Sequence, residues 1–301
     1  MVGAPQRRQA VGWLVQRHLS QRRACQLAGI SRSHWQERPP GRSDPQLVER
    51  LRRLAQQHPR YGYRRAWKAL CRDIQPLNRK RIHRLWKLEG LSLHLRKRPR
   101  RRTFSGSVPG RPEYVNHVWT YDFIHDRCVN GQKLKMLTLL DEYSRYCLTI
   151  EVAGSLSSAM LIRTLASLFV QQGTPHYLRS DNGPEFIAQA LQTWLKRQGI
   201  QTVFIEPGCP WQNAYGESFH GKFRDECLNR EWFYNLADAR QIIGQYRTYY
   251  NQQRLHSSLD YRTPEEYRLA ASVWPGVSSP QHSRQLNRSL SSSGQISSQL
   301  P

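Results

Sequence analysis

The amino-acid sequence predicts an all-helical N-terminal third followed by an α/β core with a mixed sheet. Three observations support this division. Capping and turn residues punctuate the first third, strand and helix patterns alternate after residue 117, and almost all of the net charge lies before residue 113. Residues 1–112 hold 28 Lys and Arg against 5 Asp and Glu, whereas residues 113–301 hold 18 against 17. We therefore expect the N-terminal third to bind nucleic-acid phosphates.

The segment from Ser20 to Trp35 has the punctuation of a helix-turn-helix unit. Ser20 can cap a first helix, Gly29 suits the turn, and Ser31 can cap a second helix. A plain helical hairpin shows the same pattern, so the sequence leaves open whether this unit contacts DNA.

A second helical unit follows, with one helix entered at residues 60–65 and another that begins after Asn78. Ile82, Leu85 and Trp86 form an apolar stripe on the second helix, so its basic residues point elsewhere. This geometry suits a recognition helix in a DNA groove, although a solvated basic face is the alternative. The DNA-contact residues predicted in this unit are Arg64, Arg65, Arg79, Lys80, Arg81 and Arg84.

From residue 118 the pattern is three strands followed by alternating helices and strands, which predicts a mixed sheet covered by helices. An Asn-Gly pair at 130–131 indicates a hairpin between the first two strands. The predicted strands are 118–124, 134–141, 146–152, 176–180 and 202–205, and the predicted helices are 157–172, 184–198, 212–228 and 237–251.

Three carboxylates occur at informative points of this pattern. Asp122 falls within the first strand, Asp181 follows the fourth, and Glu217 lies about 160° around a helix from the packing residue Phe219. Gathered carboxylates repel one another, and hard oxygen ligands suit Mg²⁺ or Mn²⁺. Two such ions could activate an attacking hydroxyl and stabilise a leaving oxygen at phosphorus. We predict that Asp122, Asp181 and Glu217 are both the catalytic residues and the metal ligands.

The segments around these acids carry a family resemblance. Trp-Thr-Tyr-Asp-Phe (119–123), Ser-Asp-Asn-Gly-Pro-Glu-Phe (180–186) and the 20-residue run at 210–229 resemble the Asp-Asp-(35)-Glu transposases and integrases. The sequence is most similar to the second-frame transposase of the insertion-sequence family called IS-three. The resemblance implies a ribonuclease-H-like catalytic core. A first-frame subunit with its own helix-turn-helix and leucine zipper is also implied.

The sequence and the resemblance together predict four regions. These are a helical DNA-binding region at 1–95, a basic linker at 96–112, an integrase-type catalytic core at 113–274 and a disordered tail at 275–301. Near the scissile phosphate we assign four DNA contacts, namely Gln212, Asn213, Lys222 and Arg224. His220 stands where the family often has Asn, a change that removes no metal ligand.

The expected function is a DNA transposase that binds terminal inverted repeats, cuts one strand at each end and joins the 3′-hydroxyl to target DNA. Self-association on DNA and a first-frame subunit are the expected further partners. A catalytically inactive DNA-binding regulator and a structure-specific nuclease or ribonuclease H are the alternatives. No apolar run approaches the roughly 20 residues of a transmembrane helix, and the N-terminus leads into no signal-peptide core. We therefore expect a cytoplasmic, nucleoid-associated bacterial protein without a membrane partner.

Other acids compete for the catalytic role. Asp141 is interpreted as a strand-end brace for Arg145, and Glu185 as the start of the next helix, where its charge favours the helix N-terminus. The remaining rivals are Asp126, Glu142, Asp225 and Glu226.

Overall fold

A computed structural model describes residues 4–36, 44–73, 76–93, 111–181, 183, 188–206 and 209–273. The chain divides into two compact units, Met1–His94 and Leu95–Pro301. Residues 96–110 of the predicted linker, the predicted tail and Glu185 lie outside the described residues.

The first half of the N-terminal unit is helical with short turns, as predicted. Its helices are Ala4–Gln16 (α1), Gln21–Leu27 (α2) and Arg32–Gln36 (α3). The Ser20 hydroxyl accepts a hydrogen bond from the Arg23 amide at 3.4 Å, and the Ser31 hydroxyl accepts one from the His34 amide at 3.1 Å. Gly29 has a φ of 64°, which allows the turn between α2 and α3.

The second half of this unit has its own small core. Its helices are Pro45–Gln57 (α4), Tyr63–Asp73 (α5) and Arg79–Leu88 (α6). The Asn78 side chain caps α6 by accepting a hydrogen bond from the Lys80 amide at 2.8 Å. The predicted stripe on α6 is confirmed, because Ile82, Leu85 and Trp86 are buried against Leu51 of α4 and residues of α5.

The C-terminal unit contains a five-stranded mixed sheet. Its strands are Val118–Arg127 (β1), Lys133–Asp141 (β2), Cys147–Ala153 (β3), Tyr177–Ser180 (β4) and Gln201–Phe204 (β5). The strand order is β3-β2-β1-β4-β5, with β1, β2 and β3 antiparallel and β4 and β5 parallel to β1. This is the predicted ribonuclease-H-like arrangement, and it places β1 at the centre.

Helices cover both faces of the sheet, as the alternation of buried side chains on β1 requires. Trp119 and Tyr121 face Ser158–Gln172 (α7) and Gln189–Arg197 (α8). Ile124 faces Ala214–Phe223 (α9) and Leu236–Gln252 (α10). The last described helix is Pro264–Val273 (α11).

The helix predicted over 212–228 is three pieces of different geometry. A 3₁₀ turn at Pro210–Asn213 precedes α9, and a π-helical turn at Arg224–Leu228 follows it. The π turn closes through a hydrogen bond from the Asn229 amide to the Arg224 carbonyl at 2.8 Å. Within it, Glu226 forms two hydrogen bonds of 2.6 Å with the buried Arg254 guanidinium. A long-range ion pair therefore stabilises this change of helix geometry. The four-residue spacing of apolar residues in the sequence does not predict it.

Among the helices of the described part of the chain, none is long and apolar enough to span a membrane.

The Glu226–Arg254 pair generates a stability prediction. Arg254 is 1% exposed, so Glu226→Leu leaves a buried cation without its carboxylate. We expect this change to lower the free energy of unfolding by about 3–5 kcal/mol in urea denaturation. The double variant Glu226→Leu/Arg254→Met, which buries no unpaired charge, should recover most of that loss. Equal destabilisation of the single and double variants would contradict a role for the ion pair.

Candidate active site

Asp122 lies on the central strand of the sheet, on the face that packs against α9. Its side chain is 22% exposed. One carboxylate oxygen accepts a hydrogen bond from the Phe123 amide at 2.7 Å, and the other faces the Asn213 side-chain amide at 3.4 Å. The carboxyl group is thus mostly enclosed and held by neutral donors.

Asp181 lies at the same level on the neighbouring parallel strand. The β1–β4 register pairs Thr120 with Arg179, and each catalytic candidate comes two residues later. Neighbouring strands are about 4.8 Å apart, so the two carboxylates lie side by side. Asp181 is exposed, and its carboxylate accepts a hydrogen bond from the Gly183 amide at 3.1 Å.

Glu217 reaches the same region from the first turn of α9, where its side chain is exposed. The electrostatic evidence links the three acids. Burial, followed by the charge of Asp181 and then by that of Glu217, raises the pKa of Asp122 to about 6. Hydrogen bonds from Phe123 and Asn213 oppose this rise only in part. The fold therefore brings the three predicted acids within electrostatic reach of one another.

Electrostatic reach is not coordination distance. Among the residues that the structure describes, no three His, Cys, Asp or Glu side chains are close enough to hold a metal ion. The carboxylates of Asp122, Asp181 and Glu217 would have to move towards a cation when it binds.

Asn213 holds Asp122 from the turn before α9. Its carboxamide oxygen accepts a hydrogen bond from the Thr120 hydroxyl at 2.8 Å, which leaves the amide nitrogen to face Asp122. Asn213 is only 5% exposed. The structure thus places the side chain of Asn213, a predicted DNA contact, in the interior, where Thr120 and Asp122 are its neighbours.

Gly216 provides the space for this arrangement. A Cβ atom at Gly216 would lie 2.6 Å from the Asn213 side-chain oxygen, closer than such atoms can approach. The Gly-Glu pair at 216–217 therefore has two separate tasks. The glycine admits the residue that orients Asp122, and the glutamate follows on the exposed side.

His220 is the residue at this site that the sequence analysis underrated. Its Nε2 lies 2.7 Å from the Thr138 hydroxyl, and its Nδ1 lies 3.6 Å from the Asp122 carboxylate. Burial lowers the pKa of His220 to about 4, so the ring is neutral near pH 7 and forms no ion pair with Asp122. The sequence signal that could have indicated this position is the spacing of His220 from Glu217, which is three residues, or about one turn of α9.

The rival acids are engaged elsewhere. The Glu142 carboxylate pairs with the buried Arg179 guanidinium at 3.0 Å, and Glu226 pairs with Arg254. Asp141 is buried and accepts hydrogen bonds from the Ser144 hydroxyl and amide. The Arg145 backbone amide donates to the Asp141 carbonyl at 2.9 Å, whereas the Arg145 guanidinium donates to the Glu142 carbonyl. The backbone of Asp141 therefore braces Arg145, and its carboxylate does not. Burial and arginine partners thus keep these acids out of the site.

The other predicted DNA contacts differ in exposure. Arg224 is exposed, whereas Lys222 is half-buried and donates to the Ser218 hydroxyl at 2.6 Å. The side-chain oxygen of Gln212 accepts a hydrogen bond from the Glu206 amide at 2.9 Å. In the N-terminal unit Arg65 is half-buried, and the exposed residues are Arg64, Arg79, Lys80, Arg81 and Arg84.

Comparison with protein families agrees with this architecture. Residues 112–210 and 198–264 match two models described as integrase core domains, and residues 42–102 match an HTH-like domain. Together with the ribonuclease-H-like sheet, these matches define an integrase-type polynucleotidyl transferase.

Two curated relatives resemble nearly the whole chain. An insertion element IS476 protein of Xanthomonas euvesicatoria is 40% identical over 88% of this chain and 82% of its own length. An insertion element IS407 protein of Burkholderia multivorans is 39% identical over 83% of this chain and 91% of its own. A transposase for insertion sequence IS904 of Lactococcus lactis is 29% identical over 73% and 92%. The chain belongs to this family of insertion-element transposases with an integrase core.

Among solved structures, the catalytic core of HTLV-2 integrase in complex with magnesium is 19% identical over 52% of this chain and 99% of its own. The TM-score of 0.40 is low, so the assignment of the fold rests on the strand order.

The raised pKa of Asp122 predicts a pH-dependent gain from Asp122→Asn. The pKa is about 6 in the folded chain against an ordinary 3.8, so the carboxylate destabilises the folded state by up to about 3 kcal/mol above pH 6. In EDTA at pH 8 we expect the variant to melt at a higher temperature than the wild type. The gain should shrink as the pH falls through 6 towards 4, because the folded wild type then takes up the proton. A gain that is constant with pH would contradict this account.

The contact between Gly216 and Asn213 predicts opposite outcomes for two glycines on one helix. Gly216→Ala should displace Asn213 from Asp122 and reduce strand joining by about tenfold or more. Gly221→Ala is the matched control, since a Cβ there meets nothing within 4 Å and should stabilise α9 by about 1 kcal/mol. Joining assays and thermal melts of both variants test this. Equal activity of the two variants would show that Asn213 does not orient Asp122.

Proposed function

We propose that this transposase hydrolyses one DNA strand at each end of its mobile element and joins the exposed 3′-hydroxyl to a second phosphodiester. Asp122, Asp181 and Glu217 are the proposed catalytic residues. The observation that carries the proposal is the electrostatic coupling of the three acids. The charges of Asp181 and Glu217, together with burial, raise the pKa of Asp122. Such a concentration of negative charge is relieved by a divalent cation.

The three acids fit Mg²⁺ or Mn²⁺ by their chemistry, since hard carboxylate oxygens are the donors that these ions prefer. We assign Asp122, Asp181 and Glu217 as the ligands of two ions. When bound, such ions would supply activation of the attacking hydroxyl and stabilisation of the leaving 3′-oxygen. No covalent protein nucleophile is then needed.

The chain's own residues prepare this site. The Asn213 amide and the Phe123 amide hold the Asp122 carboxylate in one orientation before any ligand arrives. The neutral His220 ring fills the space between Asp122 and Thr138 without neutralising the carboxylate. The negative charge thus remains available to a cation.

The N-terminal unit is proposed to bind the terminal inverted repeats. Helix α6 buries Ile82, Leu85 and Trp86, which leaves its basic residues to face outwards. Exposed arginine and lysine on a capped helix suit contacts with a DNA groove and its phosphates. The proposed contacts are Arg64, Arg65, Arg79, Lys80, Arg81 and Arg84, together with Gln212, Lys222 and Arg224 of the catalytic unit.

Joining two ends requires them to be held together, so we propose that the protein self-associates on DNA. A first-frame transposase subunit is proposed as a second partner. The reaction takes place where the chromosome lies, which puts the protein at the nucleoid in the bacterial cytoplasm.

The function is tested by cleavage and joining on linear and branched DNA that carries the element ends, with Mn²⁺. Glu217→Gln should retain DNA binding but lose both reactions at equal DNA occupancy, because it removes one anionic ligand. Glu231→Gln is the control, as it removes an exposed acid of the same unit outside the site. Binding without cleavage by the wild type would instead favour a DNA-binding regulator or a missing first-frame subunit.

A further inference from the structure

A small pocket lies on a different side of α9 from Glu217. Its volume is about 220 Å³. Four segments build it, namely β2 with the turn that follows it, α9, α10 and the segment 256–258. Its lining residues are Leu140, Asp141, Arg145, Ala214, Tyr215, Ser218, Lys222, Tyr250, His256 and Ser258.

Two cations from different segments line this pocket. Lys222 donates to the Ser218 hydroxyl at 2.6 Å, which anchors its ammonium group beside the pocket wall. The Arg145 guanidinium lies 3.6 Å above the centre of the Tyr215 ring and donates to the Glu142 carbonyl. Hydrogen bonds and a ring contact thus hold both positive groups beside the pocket.

The backbone at Arg145 supports a functional role for this side chain. Arg145 has a φ of 63°, a left-handed conformation that is uncommon for a residue other than glycine. Such strained conformations cluster at functional sites. Here the turn directs the guanidinium over Tyr215 on the helix that carries Glu217.

The remaining polar lining residues suit an anion. Ser218 and Ser258 bring hydroxyl donors. The His256 Nε2 lies 3.3 Å from the Arg254 guanidinium, and since arginine only donates, Nε2 accepts and Nδ1 carries the proton of a neutral ring. Asp141 is the acid among these lining residues. Its Oδ2 already accepts hydrogen bonds from the Ser144 hydroxyl and amide, and its Oδ1 accepts one from the Asn116 amide at 3.3 Å.

We propose that this pocket binds a phosphodiester group of the DNA backbone, other than the one that is cut. Its volume is below the roughly 300–1,000 Å³ of pockets that enclose drug-sized ligands, so it suits a single phosphate better than a whole nucleotide. Arginine, lysine and hydroxyl groups are the usual partners of DNA phosphates. The pocket thus fixes the position of a bound strand without reading its bases.

The position on α9 separates this phosphate from the reacting one. Ser218 and Lys222 lie about 100° and 140° around the helix from Glu217. A strand that crosses α9 could therefore present one phosphate to Glu217 and another to the pocket. This inference rests on the proposed function, since it requires DNA at the acidic site.

The first test measures DNA affinity of the full chain as a function of salt. The slope of log K against log salt is negative, and loss of one phosphate contact makes it less steep by about 0.9. We expect that reduction for Lys222→Gln and none for Lys222→Arg, which keeps the charge. Lys196→Gln removes an exposed cation of α8 and should leave the slope unchanged. An unchanged slope for Lys222→Gln, or an equal loss for Lys196→Gln, overturns the proposal.

The second test locates the phosphate. Uncharged methylphosphonates are placed one at a time along the DNA, and binding by wild type and Lys222→Gln is compared. At one position the methylphosphonate should weaken DNA binding by the wild type but not by Lys222→Gln. Binding by Arg145→Gln should be insensitive to the same position. Absence of any coupled position, with wild-type cleavage intact, overturns the pocket but not the transposase. If millimolar inorganic phosphate instead raises the melting temperature without a coupled position, the ligand is free phosphate.

Discussion

The structure depends on one electrostatic constraint, which is that a carboxylate sits largely enclosed on the central strand of the sheet. Burial and two neighbouring acids disfavour the charge of Asp122. Neutral donors offset part of this cost, and the chain places no cation of its own beside the carboxylate among the described residues. Part of the folding stability is thereby lost at the proposed metal site, a trade often met where activity needs a strained group.

Helix α9 satisfies several demands because its faces differ. Phe219 and Phe223 pack into the core against α10, while Glu217 remains exposed towards the other acids. Gly216 lets the preceding turn approach closely enough for Asn213 to reach Asp122. The π turn that follows is held by the Glu226–Arg254 pair, so the end of the helix is anchored far from the acids. Displacement of this helix would therefore disturb the site and the pocket together.

Charge is divided unequally along the chain, in agreement with different functions of its two parts. The N-terminal third carries a net charge of +23 of the total of +24. Its positive charge supplies affinity for phosphates that is sensitive to salt. Residues 113–301 are nearly neutral, and the cations there matter by position instead, as Arg145, Arg179 and Arg254 show through directed contacts.

The sequence by itself determined the helical units and the order of strands and helices, and it singled out the three acids as candidates, because capping, periodicity and motif spacing are local signals. Only the tertiary structure decided which neighbours complete the site. Thr120 meets Asn213 across 93 residues, and Thr138 meets His220 across 82. Such pairs follow from strand register and helix packing, which local patterns do not encode. For the same reason the sequence did not show that the Asn213 side chain is buried beside Asp122.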